Sequence, residues 1–269
     1  MIRHLSASQL GMFQRCGEQW RRRYLEGEII PPGIAARIGS GVHKGAEVNF
    51  RSKMKTGEDL PLDAVQDAAA EGYDKALQDG VFFSPEEVPG ARLAMAEGKD
   101  TVVSLATLFR KELAPTIMPA MVEERITLDL ENLPVPVVTV LDCYTVDKAL
   151  RDLKTSGKRW PEDKAHTSPQ PTLYRESIKA ATGEYPERCV FDVLVSNKTP
   201  VLQSIETTRS DEDLAILTRQ FNIMLAGVNA GIFPPAQPDH WCCSMKFCGY
   251  YFTCPHIPAH RKILPKRSQ

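Results

Sequence analysis

The stretch Val137–Thr155, VVTVLDCYTVDKALRDLKT, carries two carboxylates and a lysine on what reads as one β-hairpin. Val137–Asp142 alternates and is β-branched, Tyr144–Val146 extends it, and Ala149–Lys154 reads as the return strand. Side chains two apart on a strand share a face, so Asp152 and Lys154 point the same way, with Asp142 placed to face them. Two acids at that separation hold a divalent cation through hard oxygen ligands, and a lysine beside them orients or stabilises charge on an attacked phosphate. The bland alternative is a solvated strand face, because Asp-x-Lys alone is a common triplet.

A second chemical feature is sulfur. Of seven cysteines, Cys143 and Cys189 sit in apolar strand-like runs and read as core residues. Cys242, Cys243, Cys248 and Cys254 crowd together, and Cys243-x4-Cys248-x5-Cys254 needs a fourth ligand, for which Cys16 is the natural candidate. Four thiolates suit a [4Fe–4S] cluster or tetrahedral zinc. The paired Cys-x2-Cys knuckles common at zinc sites are absent, which tilts the reading toward iron–sulfur. Cys242 rivals Cys243 as the ligand, and His240, His256 and His260 are substitutes; unliganded thiols in a core are the remaining alternative. Ligands from both ends of the chain would clasp the fold like a belt.

The elements that must position these groups follow from periodicity. Ser6 reads as the N-cap of a helix running to about Leu25, with an apolar stripe of Leu10, Phe13, Trp20 and Tyr24. Its arginines, Arg21 and Arg22 among them, are either a solvated face or a phosphate-facing patch. After Pro31-Pro32-Gly33 a second helix runs from Ile34 to Lys55, and Gly39, Gly41 and Gly45 inside it imply close backbone approach, leaving His43 able to reach a neighbouring site. Leu62–Asp79 and Pro85–Leu113 read as helices of an insertion. Strands are expected at 121–130, 187–196 and 200–206, and a polar loop at 155–169 carries Lys158 and Arg159 as candidate substrate contacts. A helix from Gln170 to about Ala181 puts Gln170 and Tyr174 on one face. Another, from about Ser210 to Ala230, packs through Leu214, Leu217, Phe221, Met224 and Leu225.

The expected fold class is α/β: a central mixed sheet flanked by helices, with a helical N-terminal region and a cysteine-rich C-terminal metal clasp. One domain is expected, divided into N-terminal helices (1–56), helical insertion (57–119), core (120–230), and clasp and tail (231–269), with the basic tail Arg261–Gln269 frayed. A net charge of −1 excludes a globally basic nucleic-acid binder, so any such surface is local. No apolar run approaches the roughly 20 residues that span a bilayer, and the start has no signal-peptide architecture, so a cytoplasmic protein is expected.

Taken in order, these stretches resemble the PD-(D/E)XK nuclease superfamily, in its RecB-like branch with an iron–sulfur staple. That branch includes CRISPR-adaptation exonucleases and the nuclease domains of bacterial helicase–nucleases. The resemblance is carried by Leu5-Ser6-Ala7-Ser8 with Cys16 and Tyr24, Gly39–His43, Glu124, Asp142, Asp152-Leu153-Lys154-Thr155, Gln170-x3-Tyr174 and the terminal cysteines. It implies a restriction-endonuclease-like core with His43, Asp142, Asp152 and the Leu153 carbonyl as metal ligands. Lys154 would position the attacking water and stabilise charge, Gln170 and Tyr174 would orient Lys154 or the substrate strand, and Glu124 would be the early acid, with Glu123 competing. It further implies Mg²⁺ or Mn²⁺ and a DNA substrate, single-stranded or with duplex ends. The activity implied is that of a metal-dependent DNA exonuclease or single-strand nuclease in recombination, repair or phage and mobile-element DNA processing. The rivals are a non-catalytic nucleic-acid-binding recombination accessory protein and a zinc-stapled structural module. One departure is that Cys243-x4-Cys248 stands where the family has Cys-x2-Cys.

Overall fold

Ser6 accepts the Gln9 amide at 3.3 Å and opens α1 (Ala7–Arg15). The single helix expected to Leu25 is instead two. At Cys16 the backbone is extended, with φ −163°, and α2 (Gly17–Tyr24) starts afresh. The cause is long-range: a Cβ on Gly17 would lie 2.8 Å from the backbone of Phe233 and Pro234, and the Gly17 amide donates to the Pro234 carbonyl at 2.7 Å. The break turns Cys16 toward the C-terminal segment.

The computed structural model describes residues 2–263, so the basic tail beyond Ile263 lies outside the described residues. Three helices follow α2: α3 (Ile34–Thr56), α4 (Leu62–Gln78) and α5 (Ala91–Leu108). Five strands come next, β1 (Pro119–Leu128), β2 (Val137–Thr145), β3 (Ala149–Ser156), β4 (Arg188–Val195) and β5 (Val201–Thr207), lying side by side in chain order. All neighbours are antiparallel except β3 and β4, which are parallel. A parallel pair requires a crossover. It is supplied by α6 (Glu162–Thr167) and α7 (Gln170–Thr182), and α8 (Asp211–Asn229) closes the element list. The short α6 falls where a polar loop was expected; Ala165 is the anchor, buried with Phe191, Val193 and Ile205.

Helices α3, α4 and α5 cover one face of the sheet, where Val122, Cys143, Leu153 and Leu194 join Val42, Phe50, Val65 and Leu105 in one cluster. On the other face Leu141, Leu150 and Cys189 pack on Tyr174 and Ile178 of α7. Helices α1, α2 and α8 extend that layer through Leu10, Trp20, Phe221 and Met224. The chain is thus α/β, a mixed sheet between helical layers. Among the described residues no helix is long and apolar enough to cross a membrane.

The glycines of α3 do what their cost in helix propensity implied. A Cβ on Gly41 would sit 2.8 Å from the Ala69 carbonyl and 2.9 Å from Tyr73 Cβ, and one on Gly45 2.9 Å from Ala69 Cβ. Residues 41 and 45 therefore press α3 onto α4. Two residues on, about 200° round the helix, His43 faces the sheet, and Gly39 on that same side meets Thr155 Oγ1. Gly41→Val should lower the unfolding free energy by about 1–3 kcal/mol, read from the urea midpoint at constant slope; an unchanged midpoint would show that α4 does not fix α3.

Candidate active site

On β3, Nζ of Lys154 stands 2.5 Å from Oδ2 of Asp152. The Asp152 residue is only 3% exposed, and neither carboxylate oxygen has a donor in hydrogen-bonding geometry. Burial pushes its pKa up to about 6; Lys154 opposes the rise and Asp142 adds to it. For Lys154 burial works against the ammonium, but Asp152 and Asp142 outweigh it and raise its pKa, so the group stays charged.

The Asp142 carboxylate reaches the same face through an irregularity. A regular pleat places residues an even number apart on one face. Here Leu141 and Tyr144 both belong to the α7 side, while Cys143 belongs to the α3 side. On β1, Met121 and Ile126 share the α7 side, and between them Glu123 has φ +51°, a conformation that costs a non-glycine residue on the order of 1 kcal/mol or more. The slip carries Glu123 and Asp142 to His43: Nδ1 of His43 is 3.6 Å from Asp142 Oδ2 and 3.9 Å from Glu123 Oε1. One ligand atom from each of the three lies within 4.8 Å of the others. Burial works against a charged imidazole, yet Asp142 and Glu123 raise the His43 pKa. The Asp142 pKa is itself raised by burial, against the pull of His43, Lys154 and the Leu153 amide, which donates to Oδ2 at 2.9 Å.

This geometry corrects the early acid. Glu124, which the family resemblance implied, is exposed on β1, and its rival Glu123 enters the cluster. The left-handed residue shifts strand parity by one, which no alternation rule reads. Asp152 stands outside the compact trio, close enough for its charge to be felt at Asp142 and His43. Gln170 and Tyr174 meet as their spacing implied, Nε2 donating to Oη at 2.5 Å. Burial, followed by Asp152 and Asp142, raises the Tyr174 pKa, so the phenol stays protonated beside Asp152.

The basic residues divide. Arg21 is held by Glu18 at 2.9 Å and by Glu26, and Arg22 by Glu28 while stacking 4.7 Å over Tyr250. Their charge is engaged within the protein, so the phosphate-facing patch expected on this helix is not formed by them. Lys158 and Arg159 are exposed in the loop after β3. Lys164, not singled out from the sequence, has its pKa lowered by burial and by Lys154, which places a second cation near the first. Only the unforeseen α6 brings it there.

The cysteines converge from both ends of the chain. Cys16, Cys242, Cys243, Cys248 and Cys254 line one cavity. Gln19 Nε2 donates to Cys248 Sγ at 3.3 Å and the Ala236 amide to Cys16 Sγ at 3.4 Å, donors of the kind that stabilise thiolates. Burial raises the Cys243 thiol pKa, and Cys248, Cys16 and Cys254 add to the rise. Cys242 is pushed up to about 11 by burial first, and its Sγ is engaged by His240 Nδ1 at 3.0 Å. Cys143 and Cys189 are buried in the sheet.

A family model for the PD-(D/E)XK nuclease superfamily matches residues 4–255. The chain belongs to that superfamily. Among solved structures, this nuclease chain is similar to a crystal structure of a candidate exonuclease from Eubacterium rectale, with TM-score 0.60 and 16% identity over 90% of this chain and 87% of that one. That likeness concerns the fold. It is also similar to SSO0001 at TM-score 0.38 and 13% identity, over 84% and 86% of the two chains, too distant to add to the argument. No curated protein matches it.

The nuclease's buried acid has a thermodynamic signature. A carboxyl whose pKa is raised on folding adds stability below its unfolded value that is lost as pH climbs through the folded one. Without added divalent metal, Asp152 should therefore cost up to about 3 kcal/mol between pH 4 and pH 6, its pKa rising from 3.8 to about 6. Denaturant unfolding of wild type and Asp152→Asn should show a gap widening over that window and flat above it; a constant gap would refute the buried-charge account.

Proposed function

We propose that the chain is a divalent-metal-dependent deoxyribonuclease that hydrolyses DNA phosphodiester bonds, with Mg²⁺ or Mn²⁺ held by His43, Glu123, Asp142 and Asp152. The Leu153 carbonyl is a further ligand in this reading. The observation that carries it is the convergence of His43, Glu123 and Asp142 beside the buried Asp152–Lys154 pair. Three carboxylates there face one ammonium, and an excess of buried negative charge calls for a cation to meet it. Metal–ligand bonds of 2.0–2.1 Å place neighbouring donor atoms roughly 2.9 Å apart and opposite ones roughly 4.1 Å apart in an octahedral shell. The 3.6 and 3.9 Å separations at His43 lie between those values, so a bound ion would draw the groups together by less than about 1 Å, and the imidazole favours Mn²⁺ over Mg²⁺.

When bound, the metal supplies positive charge to the scissile phosphate and eases deprotonation of water. The chain's own groups do the rest. Lys154, charged and anchored on Asp152, stabilises the negative charge that grows on the phosphoryl oxygens. Tyr174, held by Gln170, keeps a protonated hydroxyl beside Asp152. Lys158, Arg159 and Lys164 meet the flanking phosphates. The substrate is DNA with an unpaired strand or duplex ends, processed in recombination, repair or mobile-element turnover.

Labelled single- and double-stranded DNA incubated with purified protein and Mn²⁺ should be degraded. Asp152→Asn and Lys154→Ala should each lower the rate by roughly 10²-fold or more, Glu123→Gln should weaken Mn²⁺ activation, and Glu124→Gln should leave it unchanged. Intact DNA with wild type, indistinguishable from Asp152→Asn, would leave only a binding protein.

For the clasp we propose a [4Fe–4S] cluster on Cys16, Cys243, Cys248 and Cys254. A single zinc with Zn–S bonds near 2.3 Å draws four thiolates to roughly 3.8 Å of one another. The support for the clasp is that Cys16, from the far end of the chain, lines one cavity with Cys243, Cys248 and Cys254, and the absence of Cys-x2-Cys knuckles favours the cluster over zinc. Anaerobically purified protein should be brown, with about four irons per chain; a colourless protein with one zinc would replace the cluster with zinc.

A further inference from the structure

Two open depressions beside α3 share part of their lining. The first, about 560 Å³, is lined by Gly39, Ser40, His43, Glu123 and Lys154. The second, about 580 Å³, is lined by Phe82, Phe83, Glu86, Lys246 and Phe247. Ala35 and Ala36 line both. Joined there, the two would make a channel from the candidate active site, past the start of α3, to the cysteine clasp. Ala36 lies seven residues before His43, about 10 Å along the helix at 1.5 Å per residue.

The far end is aromatic and cationic. Phe247 is 53% exposed and Trp241 58%, and their rings meet edge to face at 5.3 Å. Lys246 Nζ lies 5.6 Å from the Phe247 ring, and the Arg15 guanidinium 5.8 Å from Trp241. Exposed rings interleaved with cations are what unpaired bases stack on, since each base presents a π-face that a duplex hides. The opposite rim is acidic at Glu86 and Glu87, with Glu87 tied to the Ser84 hydroxyl at 2.8 Å. A second phosphodiester backbone would meet those carboxylates, whereas one strand keeps its phosphates on the lysine side. The rim is built in advance: the Phe82 amide donates to the Pro32 carbonyl at 3.1 Å, and Arg37 donates to the Gly80 carbonyl at 2.6 Å.

We infer that this channel holds an unpaired nucleic-acid strand on its way to the scissile phosphate, with a base stacked on Phe247 and a phosphate on Lys246. The clasp is then part of the substrate site as well as a brace. The inference rests on the nuclease reading, because the channel runs into that site, and its test does not require turnover.

The test is the binding of a fluorescein-labelled oligo-dT strand to the full-length chain, followed by anisotropy without added divalent metal. Phe247→Ala should raise Kd roughly 5- to 150-fold, the worth of stacking one base, Phe247→Trp should restore it, and Lys246→Glu should weaken binding with a steeper loss at low salt. A blunt duplex of equal length should bind weakly and be indifferent to Phe247. Phe247 is more than half exposed, so its truncation should leave the unfolding midpoint in place, and Lys246→Glu carries the test if it does not. Oligo-dT binding within twofold of wild type for both variants, or an equal loss for strand and duplex, overturns the channel. Phe247-dependent binding by a wild-type protein that cleaves no DNA keeps the channel and removes the nuclease; normal cleavage with Phe247-independent binding does the reverse.

Discussion

The structure depends on holding a buried carboxylate that nothing in the protein fully satisfies. Asp152 lies on a central strand, 3% exposed, with an ammonium at 2.5 Å and no aligned donor. In a low-dielectric interior such a charge costs several kcal/mol unless it is met, and Asp142 on the next strand repels it further. The sheet can bear this because the rest of β3 and β4 is invested in apolar packing and in one well-made ion pair. Arg151 meets Asp192 through two bonds of 2.7 and 2.8 Å, and Ser204 adds a third at 2.6 Å. Arg151 and Asp152 are adjacent on the strand and so face opposite ways. One face carries a satisfied buried pair; the other carries the unsatisfied one.

Placing His43 and Glu123 against that charge takes two departures from regular structure. Glycines at 41 and 45 let α3 approach α4 to the limit of backbone contact, which sets the height of His43 over the sheet. The left-handed Glu123 shifts the pleat of β1 and brings an acid round to meet it. Each departure costs conformational free energy of its own. Local strain of this kind persists only where surrounding packing over-determines it, and here that packing is the cluster of Val122, Cys143 and Leu153 with α3 and α5.

Most of the architecture was legible because it is written in short-range periodicity. The strands, the long helices, the Gln170–Tyr174 pair and the Asp152–Lys154 pair all follow from spacings of two or four residues, and the structure reproduces them. What was not legible is long-range or backbone-specific. The break at Cys16 is imposed by Phe233 and Pro234, residues more than two hundred positions away. The choice of Glu123 over Glu124 turns on a single φ. For Arg21 the Glu18 pair was readable from its spacing of three on α2, whereas Glu26, Glu28 and the Tyr250 ring reach Arg21 and Arg22 through the turn after α2 and the distant clasp, which no local spacing gives.

That neutralisation bears on how a chain of net charge −1 engages a polyanion. Of the basic residues in the N-terminal helices, Arg21 is paired with Glu18 and Glu26, Arg22 is paired with Glu28 and stacked on the clasp's Tyr250, and Glu18 also approaches His256 at 4.0 Å. Cations near the candidate site are few, so counterion release alone supplies little affinity and little attraction at a distance. Binding must then come from contacts that work at short range and in modest field: charge at the acidic cluster, where opposite signs are closely balanced, and apolar or aromatic surface along the approach. The same residues that lock the clasp onto α2 thereby fix where those aromatic surfaces stand. Clasp and catalytic centre are therefore coupled mechanically through α2 and the start of α3: Gly249 approaches Ile30 so closely that a Cβ there would lie 2.4 Å from its side chain, and Tyr250 donates to the Glu28 carbonyl. Loosening the cysteine-rich clasp would move the linker that precedes α3, and with it the helix that carries His43.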